Sequence, residues 1–234
     1  MNNKINKSTI NESETARNFY LKGNFDEAYK IWCDLANRGD ADSQAWIGAM
    51  YANGDGRIAS NEKSFEWYLQ AAKQGHAMAA ANVGAAFYMG NGVKKNIKNA
   101  IIWLKKSAEA GDLNGLFNLA VLYGKGHVEG ISEEDSLKKA AELYKKASER
   151  GHYPSQSRLG YLYSVGKGVV KDRVQAYLWL TLASQHGIGT ALDALESVVE
   201  KMSSEEKTAG AALFEKWRRE TKSDQGPTAI YPTT

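Results

Sequence analysis

Residues 75–111 read GHAMAAANVGAAFYMGNGVKKNIKNAIIWLKKSAEAG, and the pattern of this stretch returns on both sides of it. Glycines stand at 39, 75, 111, 151 and 187, at intervals of 36, 36, 40 and 36 residues. A second register runs Gly48, Gly84, Ala120, Gly160, and a third runs Gly54, Gly90, Gly126, Gly166. Aromatic residues keep step: Tyr51, Phe87, Tyr123 and Tyr163 each precede the third-register glycine by three positions. Trp67, Trp103, Leu143 and Trp179 precede the closing glycine by eight, and Ser64, Ala100, Ala140 and Ala176 hold a column of small residues. A fixed period in so many columns is the signature of a repeat protein.

Each unit resolves into two helices. In SQAWIGAMYANG the positions of Ser43, Ile47, Met50 and Tyr51 make one stripe at helical spacing. The glycine at the middle of that helix lets a neighbour approach closely, at a helix-propensity cost of about 1 kcal/mol. Gly54-Asp55-Gly56, Gly90-Asn91-Gly92 and Gly166-Lys167-Gly168 form the turn between the helices. The second helix, SFEWYLQAAKQG, is expected to bury Phe65, Tyr68, Ala71 and Ala72 and to stop at its closing glycine. No run shows the two-residue alternation of a strand. The expected fold is all-α: a right-handed α-solenoid of about six antiparallel helix pairs.

The expected organisation is a flexible 1–11, a single solenoid over 12–222 and a flexible tail over 223–234. Within the solenoid, 12–39 is an N-terminal pair, 40–75, 76–111, 112–151 and 152–187 are full repeats, and 188–222 is a capping pair. The third repeat is four residues longer, with the insertion in GHVEGISEED, where Ser132 or Asp135 can cap the helix that follows. In the last pair Ser203-Ser204-Glu205-Glu206 reads as a capping box.

Composition agrees with an ordinary folded chain. Of 234 residues, 43% are hydrophobic and 24% charged, and 30 basic residues against 27 acidic ones leave a net charge of +3. That balance does not predict nucleic-acid binding. A single cysteine excludes an intramolecular disulfide framework, and no cofactor or metal is expected. The uncharged stretch 74–93 reads as a buried helix with its turns, since Ala and Gly dominate it; no membrane span is expected. The opening MNNKINKSTINESET lacks an apolar segment, so the chain as it stands is expected in the cytoplasm, with a removed leader left open.

The columns of GHAMAAANVGAAFYMGNGVKKNIKNAIIWLKKSAEAG and its counterparts resemble the Sel-1-like repeat (SLR) family, a relative of the tetratricopeptide repeat, over roughly residues 16–220. The closing MSSEEKTAGAALFEKW is similar to the last helix of many bacterial members. The resemblance implies a tetratricopeptide-like superhelix that binds another protein as adaptor, scaffold or regulator, without catalysis of its own. Within that class an immunity-type inhibitor of a bacterial toxin, or an envelope-assembly scaffold, is the alternative. The lengthened third repeat and Ala120 in place of a glycine depart from the pattern.

In such a stack the first helices line a concave face. The positions that miss the packing stripe form ladders one repeat apart: Trp46, Asn82, Asn118, Arg158, then Ala49, Ala85, Val121, Tyr161, then Asn53, Met89, Lys125, Val165. Trp46, Arg158 and Tyr161 are candidate anchors, because Trp, Tyr and Arg dominate interface energetics. Asn82 and Asn118 are candidates to bond a peptide backbone. Tyr88 and Phe117 are secondary candidates, as are Glu129, Glu133 and Glu134 on and beside the inserted loop, where they can meet a basic surface or favour a helix N-terminus. The alternative for Trp46 and Tyr161 is packing against neighbouring helices.

No catalytic residue is assigned. Gly124-Lys125-Gly126-His127-Val128-Glu129-Gly130 lacks the spacing of a phosphate loop. His76, His152 and His186 flank closing glycines and read as turn residues. His127 with Glu129 has no nucleophile beside it, and Cys33 reads as packing. Lysines 94, 95, 98, 105 and 106, and 138, 139, 145 and 146, read as solvated helix faces.

Overall fold

Two residues make the corner between repeats. At the end of one second helix the Gly75 N–H donates to the Ala72 carbonyl and the His76 N–H to that of Ala71, the paired bonds of a Schellman stop. His76 then begins the next helix, its Nδ1 accepting the Ala79 N–H at 3.2 Å. Asp40 and Asp112 do the same with the N–H groups of Ser43 and Gly115. The turn-flanking histidine is thus a helix cap. His76 also holds Asp42 at 3.3 Å, and that hydrogen bond lowers the Asp42 carboxyl pKa.

The computed structural model describes residues 7–221, and among them there are twelve helices and no strand. They are α1 (Lys7–Leu21), α2 (Phe25–Asn37), α3 (Ala41–Asn53), α4 (Asn61–Lys73), α5 (Ala77–Met89), α6 (Ile97–Glu109), α7 (Leu113–Gly124), α8 (Glu133–Glu149), α9 (Tyr153–Val165), α10 (Arg173–Ser184), α11 (Gly189–Val199) and α12 (Ser204–Thr221). The chain is all-α, as the repeat columns require. Helix α1 begins inside the segment 1–11 expected to be flexible, whereas the tail 223–234 lies outside the described residues. Two compact units divide between Gly115 and Leu116, within α7. In the first, α1 pairs with α2, α3 with α4 and α5 with α6, and each pair packs on the next. In the second, α8, α9, α10 and α11 pack in sequence and α12 lies on α10.

Within a pair, the helices meet at the mid-helix glycine. A Cβ on Gly84 would stand 2.6 Å from Leu104 Cγ, and one on Gly160 would stand 2.7 Å from Leu180 Cγ. The turn glycines do two different jobs. Gly90 ends α5 in the left-handed region at φ +85°, its N–H donating to the Ala86 carbonyl. Gly92, at φ +67°, presses against the preceding pair: a Cβ there would overlap the Asn61 carbonyl at the start of α4. Gly168 makes the same contact with the Leu137 carbonyl of α8.

Among the first helices α3 is the most enclosed. In α3 every residue from Ser43 to Met50 is buried, well beyond the single stripe its spacing predicts. At the N-terminal end Trp46 stacks on Trp32 with ring centroids 4.6 Å apart and planes at 6°, and Tyr20 of α1 closes over it at 5.3 Å. The Tyr20 hydroxyl donates to Asp55 at 2.6 Å, and burial with that carboxylate pushes its pKa up to about 12. At the other end Ser203 and Glu206 form the expected capping box, the Ser203 N–H reaching the Glu206 carboxylate at 2.9 Å. Trp217 of α12 meets Trp179 edge to face at 4.9 Å. Ser132 caps α8 by accepting the Asp135 N–H.

His152 stands at the cap of α9, with Nδ1 2.7 Å from the Ser155 hydroxyl and its ring 5.4 Å from Phe117. Burial pushes its pKa down to about 4.

Replacing Gly90 by Ala is expected to cost ~1 kcal/mol, the price of a Cβ in the left-handed region. Gly92→Ala adds a backbone overlap and is expected to cost at least about twice as much in urea unfolding. Trp46→Ala should lose about 3–5 kcal/mol, whereas Arg158→Ala at an exposed site should stay within about 0.5 kcal/mol. A third expectation concerns acid. Because His152 is protonated more readily when unfolded, stability is fully present above about pH 6.5 and falls as pH drops toward 4, by at most ~1.4 kcal/mol per pH unit. Urea unfolding at pH 7 and pH 5 should show that loss in the native chain, and His152→Asn should reduce it.

Candidate partner-binding face

The first two ladders of the first helices open along the chain, whereas the third, Asn53, Met89, Lys125 and Val165, is exposed throughout. Trp46 is only 7% exposed and Ala49 is also buried, so Trp46, an expected anchor, is a core residue instead. The reason is α1: Tyr20 occupies the space over Trp46 that a partner would need. One repeat later Asn82 is half-buried, and its amide donates to the Met78 carbonyl at 3.2 Å and to Met78 Sδ at 2.9 Å. Its donor is therefore already engaged within the helix. Asn118 in the second unit is half-buried.

On α9 the picture changes. Arg158 is exposed, Tyr161 is 47% exposed and Val165 is 43% exposed. Spacings of three and four residues bring the three side chains to one face of the helix. Beneath them, Leu159 and Gly160 are buried, so the face rests on a packed helix. The Arg158 guanidinium also acts on the buried Tyr144, drawing its phenol pKa down against the burial that raises it to about 12. A cation, a phenol and a branched alkyl group thus stand together on a rigid support, the chemistry of an interface anchor.

The secondary candidates fare differently. Phe117 is half-buried and packs at 5.7 Å from Tyr144 and 5.4 Å from His152, which makes it a packing residue. Tyr88 is half-buried with the Lys95 ammonium 5.7 Å above its ring. Glu133 and Glu134 lie in the first turn of α8, where they favour the helix dipole, and Glu134 pairs with Lys138 at 2.6 Å. Glu129 is exposed on the inserted loop.

Sequence reasoning passed over Met89 and Val165, although both stand in the third ladder. Met89 is 59% exposed, an apolar side chain at the end of α5. Their position was visible as a column, but nothing in a column distinguishes an open position from one that a neighbour covers.

Among the described residues no three His, Cys, Asp or Glu side chains come together as a metal site. No helix among them is long and apolar enough to cross a membrane. Cys33 is half-buried on α2, with the Asn37 amide 3.8 Å from its sulfur.

The Sel1 repeat matches residues 41–76, 77–112, 114–152 and 154–188, more than half of the chain. Among solved structures, a protective antigen present in uropathogenic Escherichia coli strains displaying an SLR fold superposes with a TM-score of 0.80 at 24% identity, covering 97% of this chain and 50% of that one. The chain therefore spans about half the length of that antigen. A Sel1 repeat protein from Oxalobacter formigenes superposes with a TM-score of 0.68 at 26% identity, over 93% of this chain and 87% of that one. The search of curated proteins found no match. Matched in four successive helix pairs and in the fold of both structures, the chain belongs to the Sel1 repeat family, whose members are generally protein–protein interaction modules and typically non-catalytic.

Proposed function

We propose that this chain is a non-catalytic adaptor, scaffold or regulator that holds one protein partner on α9 of the second unit, with Arg158 and Tyr161 as the anchoring pair and Val165 beside them. The observation that carries the reading is the exposure of these three side chains on one side of α9, above the buried Leu159 and Gly160. Burying Tyr161 and Val165 against a partner would recover ~25 cal/mol per Å² of apolar area. A preformed helical support also lowers the ordering cost of association. Apart from Arg158, α9 carries no charge, which favours a partner segment that presents neutral side chains or backbone there. Arg158, the one charge on α9, would set its register.

The test is quantitative co-purification from source cells, comparing the native chain with Arg158→Glu/Tyr161→Ala after circular dichroism has confirmed equal helicity. A protein recovered in stoichiometric amount with the native chain should fall at least ~10-fold with the variant, as expected when two anchors of about 1 kcal/mol or more are lost. Equal recovery would place the partner on another surface. Recovery of no protein by the native chain would overturn the reading.

A further inference from the structure

The second helices carry most of the charge of the repeats, and on two of them it is balanced. Helix α4 sets Glu62 and Glu66 against Lys63 and Lys73. Helix α8 pairs Lys138 with Glu134 and Lys145 with Glu149. Helix α6 departs from this. The stretch 94–109, KKNIKNAIIWLKKSAE, holds five lysines and one glutamate. All five lysines are exposed, and among the described residues Lys94, Lys95, Lys105 and Lys106 have no carboxylate within ion-pair distance.

The placement of these charges is ordered. Ala100, Leu104 and Ser107 face the core of the first unit. On the opposite side Lys98, Ile102, Lys105, Lys106 and Glu109 fall within about 100° of arc and run about 16 Å along the helix. At the middle of this basic stripe Ile102 is 50% exposed. The Lys106 ammonium lies 4.4 Å from the Trp103 ring centroid, so that indole face is already covered by a cation.

We propose that this face of α6 docks an acidic protein segment, about three helical turns long, that carries an apolar side chain between its carboxylates. Lys105 and Lys106, which have no carboxylate within ion-pair distance among the described residues, supply the charge complementarity, and Ile102 supplies the apolar contact that fixes the register. A nucleic acid matches the charge but gives Ile102 nothing to bury against, and the covered Trp103 face is not free to stack on a base. An anionic membrane likewise fits the lysines, but a single half-exposed isoleucine is a small apolar surface to insert. This site lies on a different helix and uses a different chemistry from the α9 face, so either can fail without the other.

The probe is a fluorescein-labelled, blocked 15-residue peptide of alanine and glutamine bearing four glutamates and a central leucine on one helical face. Its binding to the full chain is followed by anisotropy in 50 and 150 mM NaCl. The comparison ligands are the same peptide with leucine replaced by glutamine, the same peptide with its glutamates replaced by glutamine, 15-nucleotide oligothymidine, and phosphatidylserine vesicles. The acidic leucine peptide should bind tightest, and Lys105→Glu/Lys106→Glu should weaken it at least ~10-fold. Ile102→Ser, or removal of the peptide leucine, should weaken it about 3-fold or more. Arg158→Glu/Tyr161→Ala should leave it within about twofold, since that variant touches another surface. Failure of the peptide to bind, equal binding by every α6 variant, or tighter binding of the oligonucleotide or vesicles with the same lysine dependence would each overturn the proposal.

Discussion

The structure depends on backbone being allowed to touch backbone. Where Gly92 meets the Asn61 carbonyl, and Gly168 the Leu137 carbonyl, the loop of one helix pair rests on the start of the preceding second helix with no room for a side chain. Because the contact is made by main-chain atoms, its geometry does not vary with the side chains around it. A pair placed in this way has its distance to the previous pair fixed. The mid-helix glycines extend the same logic inward: Leu104 and Leu180 occupy the volumes that side chains on Gly84 and Gly160 would need. A helix glycine costs about 1 kcal/mol in propensity, and the close packing it admits offsets that cost.

Charge follows from that geometry. A first helix is covered by its own partner and by the adjacent pairs, so a charged side chain on most of its positions would be desolvated without compensation. Helix α5 carries no charged residue, and α9 carries only Arg158. Helices α4, α6 and α8 keep a solvated side and hold charges there, whereas α10 carries only Arg173. A local excess of one sign is then visible as a departure from the pattern, and α6 is that departure. Composition hides it, because the net charge of +3 averages α6 with the acidic residues elsewhere.

Legibility from sequence divides along the same line. The glycine columns, the capping box at Ser203 and the cap at Ser132 are local: each depends on residues within a few positions, so spacing alone reveals them. The corner histidines are half legible. Their position marks a turn, but only the geometry shows His76 accepting the Ala79 N–H. The openness of a ladder position is not local at all. Trp46 and Arg158 occupy the same column and point in equivalent directions, yet one is buried and the other exposed. What separates them is Tyr20, contributed by an N-terminal pair that departs from the repeat consensus. No periodicity argument reaches across that boundary.

The two exposed surfaces would act on a partner through different terms of the binding free energy. At an ionic strength of 0.15 M the Debye length is about 8 Å, so the lysines of α6 act mainly on a partner already near the surface. Such charges chiefly raise the rate of encounter and select the sign of the approaching surface. Tyr161 and Val165 act only on contact, by burying apolar area, and this term governs how long a complex lasts. Salt therefore discriminates between them. Association through α6 should weaken as ionic strength rises, while dissociation from the α9 face should respond to the loss of Tyr161 far more than to salt. A chain that uses both surfaces would show these two dependences separately, one in its association rate and one in its dissociation rate.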